Sequence, residues 1–568
     1  MKLIDIIAVT ACMLCCAGLW RFAVYADDVK NTKHKLLWLL PPVLAFVITK
    51  EGPELSLLPL YLGAVIAACG FFTEQKNMRQ KLAVSAACCM LLSFPVCLCN
   101  PRYRAKDLIG DFEKCFAEMH AHYVLTEHKG IDWDALYAKY QPTFAEADRT
   151  QDYAAYGLAW EAFCGEFHDG HTNCSFSEDI TDAVNAETRR LLGNDYGLCI
   201  MHCTDGSFAA VCVDDSLAKY GIHNGTVITA WDGKAPDAVN RESAFYDSQL
   251  MYCEKDHIAD MIMFDSFPDI DNAAFWSAMF TAGIGGETVN VTYLDDNGNA
   301  QTAALHPIGE YFDRFCQMKK TVDQGLKDTG TMQWKKVGKT TACLRIKGMS
   351  YDDVSYNSSD MEDYAEMREE LRSAVLAYQA QGVRNVIIDL RGNEGGSPHF
   401  VKCVAALFAP KGEYYCSSDC VWDPETQFWK KDENGKFVPF ESLTLQGEQI
   451  LGDGRIIVLV NSASISAADH MIKLMSAFEN VTIIGFTEPN GSGQAIGRTY
   501  GQNVGVSFSN CVCLGEDGEI FIDSGIDRQS GDGDAVQIIP FDAEAIHALF
   551  DENQDYVLDK ALEMLETK

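Results

Sequence analysis

VIIDLRGNEGG at residues 386–396 and IIVLVNSASISAAD at residues 456–469 are the two stretches on which the reading of this chain turns. Each opens on a short run rich in Val, Ile and Leu, the composition of a strand covered by helices on both faces. Each then breaks into small and polar residues. In the first, Gly392, Gly395 and Gly396 permit a backbone whose N–H groups converge on one oxygen. In the second, the polar run from Asn461 to Asp469 continues as the helical pattern His470 to Met475. A sharp turn at the end of a buried strand is where an α/β core places its chemistry. A serine at the start of the following helix presents its hydroxyl, with the next backbone N–H aimed at a developing oxyanion. Ser462, Ser464 and Ser466 compete for that role, and a serine there is also an ordinary helix N-cap.

Around these stretches the chain alternates strand and helix. Residues 343–346 and 481–484 are further short apolar runs, and Tyr364, Met367, Leu371, Val375 and Tyr378 form a helical stripe. A β/α catalytic core is therefore expected over 336–568. Upstream, 193–335 is rich in strand patterns, at 209–213, 226–231 and 288–293. Over 102–192 the pattern is helical, with Leu108, Phe112, Phe116 and Met119 at three- and four-residue spacing. Within it, Asp169-Gly170 reads as a turn set between His168 and His171.

The first 101 residues hold four apolar stretches, at 6–20, 36–49, 55–73 and 82–99, separated by short charged loops. These read as about four transmembrane helices. Lys30, Lys33, Lys35, Lys76, Arg79 and Lys81 fall on one side, against Lys50, Arg102, Arg104 and Lys106 on the other. The small excess places the large domain outside. The expectation is a multi-pass cell-membrane protein with an extracytoplasmic catalytic domain and the lipid bilayer as a partner.

With 81 acidic against 46 basic residues the formal charge is -35, which excludes a nucleic-acid partner, since phosphate backbones require a cationic surface. Of 22 cysteines, those beyond the apolar region form no paired C-x-x-C knuckles. Cys199 with Cys203, Cys416 with Cys420, and Cys511 with Cys513 are near neighbours open to local disulfides.

Over about residues 103–568 the chain resembles the S41 family of serine peptidases, which includes the C-terminal processing peptidases and the tricorn core. DLRGNEGG at 389–396 looks like the family's D-L-R-x-N-x-G-G loop, and VNSASISAAD at 460–469 like its nucleophile segment. DSLAKYGIHNGTVITAWDGKAP at 215–236 is similar to the family's inserted PDZ module, and HKGIDWDAL at 128–136 and FHDGHTNC at 167–174 to N-terminal segments of its non-processing branch. With the apolar stretches at 1–101 read as transmembrane helices outside the resemblance, the expectation is a multidomain α/β protein: a helical subdomain at 102–192, a PDZ-like β-rich module and linker at 193–335, and a crotonase-like/ClpP-like core at 336–568. The resemblance places the nucleophile on Ser466 and oxyanion donors on Gly395 or Gly396 and on Ala467.

One departure bears on the branch. The processing peptidases pair their serine with a downstream lysine, but IGFTEPNGSGQ at 484–494 has none, and no lysine occurs between Lys473 and Lys560. The base is then a histidine, able to take a proton near neutrality. The resemblance puts it on His171, with His168 as the rival. For the acid, Gly525-Ile526-Asp527 partly resembles the family's G-[VI]-x-P-D segment without its proline, and Asp523 is preferred to Glu519. The implied activity is endopeptidic hydrolysis of a peptide or protein through an acyl-enzyme, with no metal or organic cofactor. The rival reading is a silent peptide-binding or scaffold protein on the same fold. Oligomeric state stays open.

Overall fold

The computed structural model describes residues 106–568 except 168, 243–277, 323–330, 352–353, 356–360, 490–492, 522–535 and 567–568, with a few positions before 106. The chain divides into two units, Met1–Asp107 and Leu108–Lys568, and the architecture below is that of the second.

Three helices open it: α1 (Leu108–His122), α2 (Trp133–Thr150) and α3 (Tyr153–Gly165). Asp132 and Asp152 cap α2 and α3, their carboxylates accepting from the backbone N–H of Ala135 and Ala155 at 3.0 Å. The helices bury Phe112, Phe144, Trp160 and Phe163 in one aromatic core, with Phe112 stacked on Phe144 at 4.2 Å between ring centroids. Strand β1 (Asn173–Phe176) and helix α4 (Glu178–Leu192) follow.

The next segment is a small β-rich module. β2 (Cys199–His202) pairs with β3 (Phe208–Val211), and β4 (Ile228–Trp231), β5 (Val289–Leu294) and β6 (Ala300–Leu305) form a separate antiparallel sheet. A short 3-10 turn at Asp215–Tyr220 is closed by Gly221 at φ 74°, a conformation that glycine adopts without strain. Helix α5 (Tyr311–Val322) leads out of the module.

The core is one six-stranded sheet. Its strands are β7 (Met332–Lys336), β8 (Thr341–Ile346), β9 (Asn385–Asp389), β12 (Ile456–Leu459), β13 (Val481–Gly485) and β16 (Val536–Ile538). They lie in the order β16-β13-β12-β9-β8-β7, all parallel except the antiparallel edge strand β7. Helix α6 (Ala365–Gln379) joins β8 to β9, and α7 (Pro398–Phe408) follows β9. The hairpin β10 (Glu413–Cys420) and β11 (Pro439–Gln446) precedes β12, and α8 (Ala467–Ser476) joins β12 to β13. Alternation along the strands sorts their side chains. Leu344, Val386, Ile388 and Val458 pack with α6, α7 and α8 on one face, while Cys343, Ile387, Ile457 and Leu459 join the C-terminal helix α9 (Tyr556–Glu566) and the β-rich module on the other. After β13, β14 (Gln494–Tyr500) and β15 (Val504–Cys511) pair with β1 in the order β1-β15-β14, so the N-terminal helices pack on strands from the C-terminal half.

Three expectations are corrected. Among the described residues no helix is long and apolar enough to cross a membrane, and the four apolar stretches lie almost wholly outside those residues. The transmembrane region, the bilayer as partner and the multi-pass, extracytoplasmic location are therefore withdrawn. The crotonase-like/ClpP-like label for the core is withdrawn too: no core of that type is seen, and the sheet is a single layer with an antiparallel edge. The PDZ-like label goes no further than a small β-rich module, in which two sheets share one apolar core. Every described cysteine is a free thiol, so none of the local disulfides is formed.

Candidate active site

β9 and β12 are parallel neighbours, so the loops that follow them emerge side by side at the carboxyl edge of the sheet. The first loop is braced by buried charge. Arg391 donates Nε and Nη2 to Asp389 at 2.9 and 2.8 Å, and Nη1 and Nη2 to Asp555 at 2.7 and 2.8 Å. Burial works to raise the Asp389 carboxyl, yet the guanidiniums of Arg391 and Arg345 outweigh it and hold the group below the usual carboxylate range. Asn393 is fully buried. Its Nδ2 donates to the Ile346 carbonyl and its Oδ1 accepts from Gly395 N–H, both at 2.9 Å.

The second loop ends in a strained turn. Ser466 lies at φ 61° and ψ -121°, a conformation that costs a non-glycine residue roughly 1–3 kcal/mol, immediately before the first helical residue, Ala467. Such a strand-to-helix corner lifts the side chain of its central residue away from the sheet. Burial separates the three serines. Ser464 is fully buried, its hydroxyl donating to the Leu390 carbonyl at 3.0 Å and accepting from Asn461 N–H at 3.1 Å. Ser462 is buried as well, with its N–H given to Thr487 Oγ1 at 2.8 Å. Ser466 is half-buried.

Gly395 and Ser466 meet. A Cβ on Gly395 would lie 2.6 Å from Ser466 Cβ and 2.8 Å from Ala467 N, so the loop approaches the serine only because that side chain is absent. Gly396, at φ 141°, has no such space either: a Cβ would fall 2.4 Å from the Met349 carbonyl oxygen. Asn461 ties the loops together, its Oδ1 accepting from Gly392 N–H at 2.9 Å and Ala463 N–H at 3.2 Å. Sequence reasoning gave neither Asn393 nor Asn461 a role; the signals were the asparagine within the DLRGNEGG loop and the polar residue two positions past β12.

His171 comes from the other end of the chain. It precedes β1 in a turn organised by the buried Asp169, whose carboxylate accepts from His171 N–H at 2.9 Å, Thr172 Oγ1 at 2.8 Å and Ser509 Oγ at 3.2 Å. The turn is thus anchored to β15. β15 pairs with β14, and β14 follows the loop whose Thr487 holds Ser462. His168 and Asp523 lie outside the described residues. Glu519 is exposed and ion-paired with Lys436. Lys473 sits in the last turn of α8. Among the described residues no group of three or more His, Cys, Asp or Glu is gathered as a metal site requires.

Residues 340–527, which carry both loops, match the family described as peptidase family S41, and residues 105–155 match the tricorn protease C1 domain. No curated protein is found to match the chain. Among solved structures, mature CPAF is 13% identical over 80% of this chain and 96% of its own, at a TM-score of 0.48. A putative peptidase from Parabacteroides merdae is 15% identical over 81% and 96%, at 0.42. The tricorn protease is 12% identical over 80% of this chain and 36% of its own, at 0.30. Likeness at this level carries no weight for substrate or site.

Proposed function

We propose that this protein, a serine-type peptidase of the S41-like kind, hydrolyses peptide bonds through an acyl-enzyme formed on Ser466. The observation that carries the reading is the strained corner at Ser466 with Gly395 pressed against it. His171 accepts the Ser466 proton as Oγ attacks the substrate carbonyl carbon. The imidazolium then returns that proton to the departing amine as the C–N bond breaks, and water cleaves the ester by the same route. The oxyanion is received by the N–H groups of Gly396 and Ala467, because Gly395 spends its own N–H on Asn393 and contributes close approach instead. Asp523 orients the imidazole; Glu519 is the weaker choice, being engaged by Lys436.

A fluorophosphonate probe tests this directly. The wild-type protein should be labelled once, on Ser466, and Ser466→Ala should lose both labelling and turnover while unfolding at the same temperature. Ser464→Ala should keep the label in its folded fraction but be less stable by about 1–3 kcal/mol, since it strands the Asn461 N–H and removes one of the two donors to the Leu390 carbonyl. A folded wild-type protein that binds peptides and takes no label would instead be a scaffold.

A further inference from the structure

Strand β10 touches the chain just beyond β15 through one isolated antiparallel bridge. Ser418 N–H donates to the Leu514 carbonyl at 2.9 Å, and Leu514 N–H to the Ser418 carbonyl at 2.8 Å. Beside this bridge two thiols converge on a single acceptor. Cys420 Sγ lies 3.3 Å from the Val512 carbonyl oxygen and Cys511 Sγ 3.6 Å from the same atom. Both cysteines are almost wholly buried, whereas Cys513, two residues on, is partly exposed.

We propose that Cys420 and Cys511 form a redox-sensitive pair that closes to an intramolecular disulfide joining β10 to β15. With both sulfurs at one carbonyl, the interaction between the two thiols holds Cys420 below the usual thiol range and pushes Cys511 well above it. That polarity divides the roles, because the thiolate is the attacking species. The pairings suggested by sequence distance are worse. Cys416 and Cys420 lie on one strand, where four residues span roughly 13 Å, well beyond the reach of a disulfide. Cys511 and Cys513 are near enough in sequence, but the Cys511 sulfur is turned to Cys420, and Cys513 instead accepts from Gln494 Nε2 at 3.9 Å.

The oxidant is a small-molecule disulfide. The Cys420 thiolate attacks one of its sulfurs, the S–S bond breaks, and one thiol leaves with a proton from solvent. Cys511 then gives up its proton and attacks the Cys420 sulfur, expelling the second thiol. Two protein S–H bonds are lost, one S–S bond is gained, and the oxidant is reduced to two thiols. Access comes from local opening at this isolated bridge, where one pair of backbone hydrogen bonds and the Tyr415 hydroxyl join β10 to Leu514.

The test incubates the reduced, full-length protein with oxidised glutathione, then maps alkylated and non-reduced peptides by mass spectrometry. A linked Cys420–Cys511 peptide should appear, lighter by two hydrogens and reversed by dithiothreitol. The closed loop, residues 420–511, should raise the thermal midpoint by a few degrees through restriction of the unfolded chain. Cys420→Ser and Cys511→Ser should each lose the linked peptide and the shift. A bond found at Cys416–Cys420 or Cys511–Cys513, a glutathione adduct on Cys513 alone, or full alkylation of Cys420 and Cys511 after oxidation would overturn the proposal. Neither readout depends on turnover, so its failure and that of the Ser466 reading are distinguishable.

Discussion

Ser466 and His470 lie four residues apart at the start of one helix, and the fold treats them in opposite ways. Ser466 is held in a strained corner at the loop surface, whereas His470 is buried, with Nε2 donating to the Cys416 carbonyl at 3.2 Å and its ring edge-on to Phe521. Burial pulls the His470 imidazole down to about 4. In the unfolded chain it returns to about 6.5, so the unfolded state binds the extra proton first as pH falls. The stability that this neutral histidine supports is complete above pH ~6.5 and drains away as pH drops toward 4, reaching a loss of roughly 3 kcal/mol. Denaturant unfolding of wild type and His470→Gln should show this. The difference in their stabilities should change across pH 6.5 to 4 and stay constant above it; a constant difference throughout would mean that the ring is solvated. The sequence offers three serines and thirteen histidines with no means of ranking their burial. Asn461 and Asn393, which settle the shape of both loops, read in sequence as ordinary turn residues.

Elements were more legible than their long-range ties. Short apolar runs at 343–346, 386–390, 456–460 and 481–484 correspond to β8, β9, β12 and β13 within one or two residues, because a strand buried on both faces leaves a continuous apolar signature. The stretch that begins at Glu519 is different. Its described part gives only a bridge between Ile520 and Leu514, where turn residues at 515–518 bring the chain back on itself. The buried partnership of Asp389 and Arg391 was readable from their spacing, but Asp555 was not, since it arrives from 164 residues away. Asp555 has two tasks: it accepts from Leu558 N–H at 3.2 Å in the first turn of α9, and it satisfies half of the Arg391 fork. Asp555→Ala should therefore cost about 1–3 kcal/mol, the range for stranding a buried donor, since Arg391 keeps Asp389 and only its Nη1 loses a partner, measured as a drop in the denaturant midpoint. Asp555→Asn should recover part of it by keeping the cap. A loss below ~1 kcal/mol for the alanine variant would reduce Asp555 to a surface cap.

At the scale of the whole molecule the likeness to S41 serine peptidases is supported by the family match over residues 340–527, whereas the membrane spans and the label given to the core are withdrawn. Apolar runs in the first hundred residues suggested spans, yet no described helix can cross a membrane, and the label given to the core came from resemblance and not from its strands. The antiparallel β1-β15-β14 sheet was invisible, because β1 and its partners are separated by more than three hundred residues and no local pattern links them. That sheet matters for the reaction. It anchors the His171 turn through Ser509 and Asp169, while the corner bearing Ser466 hangs from β12. The proposed base and nucleophile, nearly three hundred residues apart, could act together only if this anchoring is rigid, and the three hydrogen bonds accepted by Asp169 brace the turn. His171→Ala should lower turnover by a factor on the order of 10³ or more, since the serine loses its proton acceptor and the leaving amine its donor. Lys473→Ala, in the last turn of α8, should leave turnover near the wild-type value. Wild-type turnover should rise with pH through the imidazole range, about 6 to 7, as the base becomes neutral. Asp169→Ala should lower turnover without shifting that inflection, because it loosens the turn and leaves the imidazole in place. A folded His171→Ala protein with near-normal hydrolysis and the same inflection would remove His171 from the reaction and turn attention to His168.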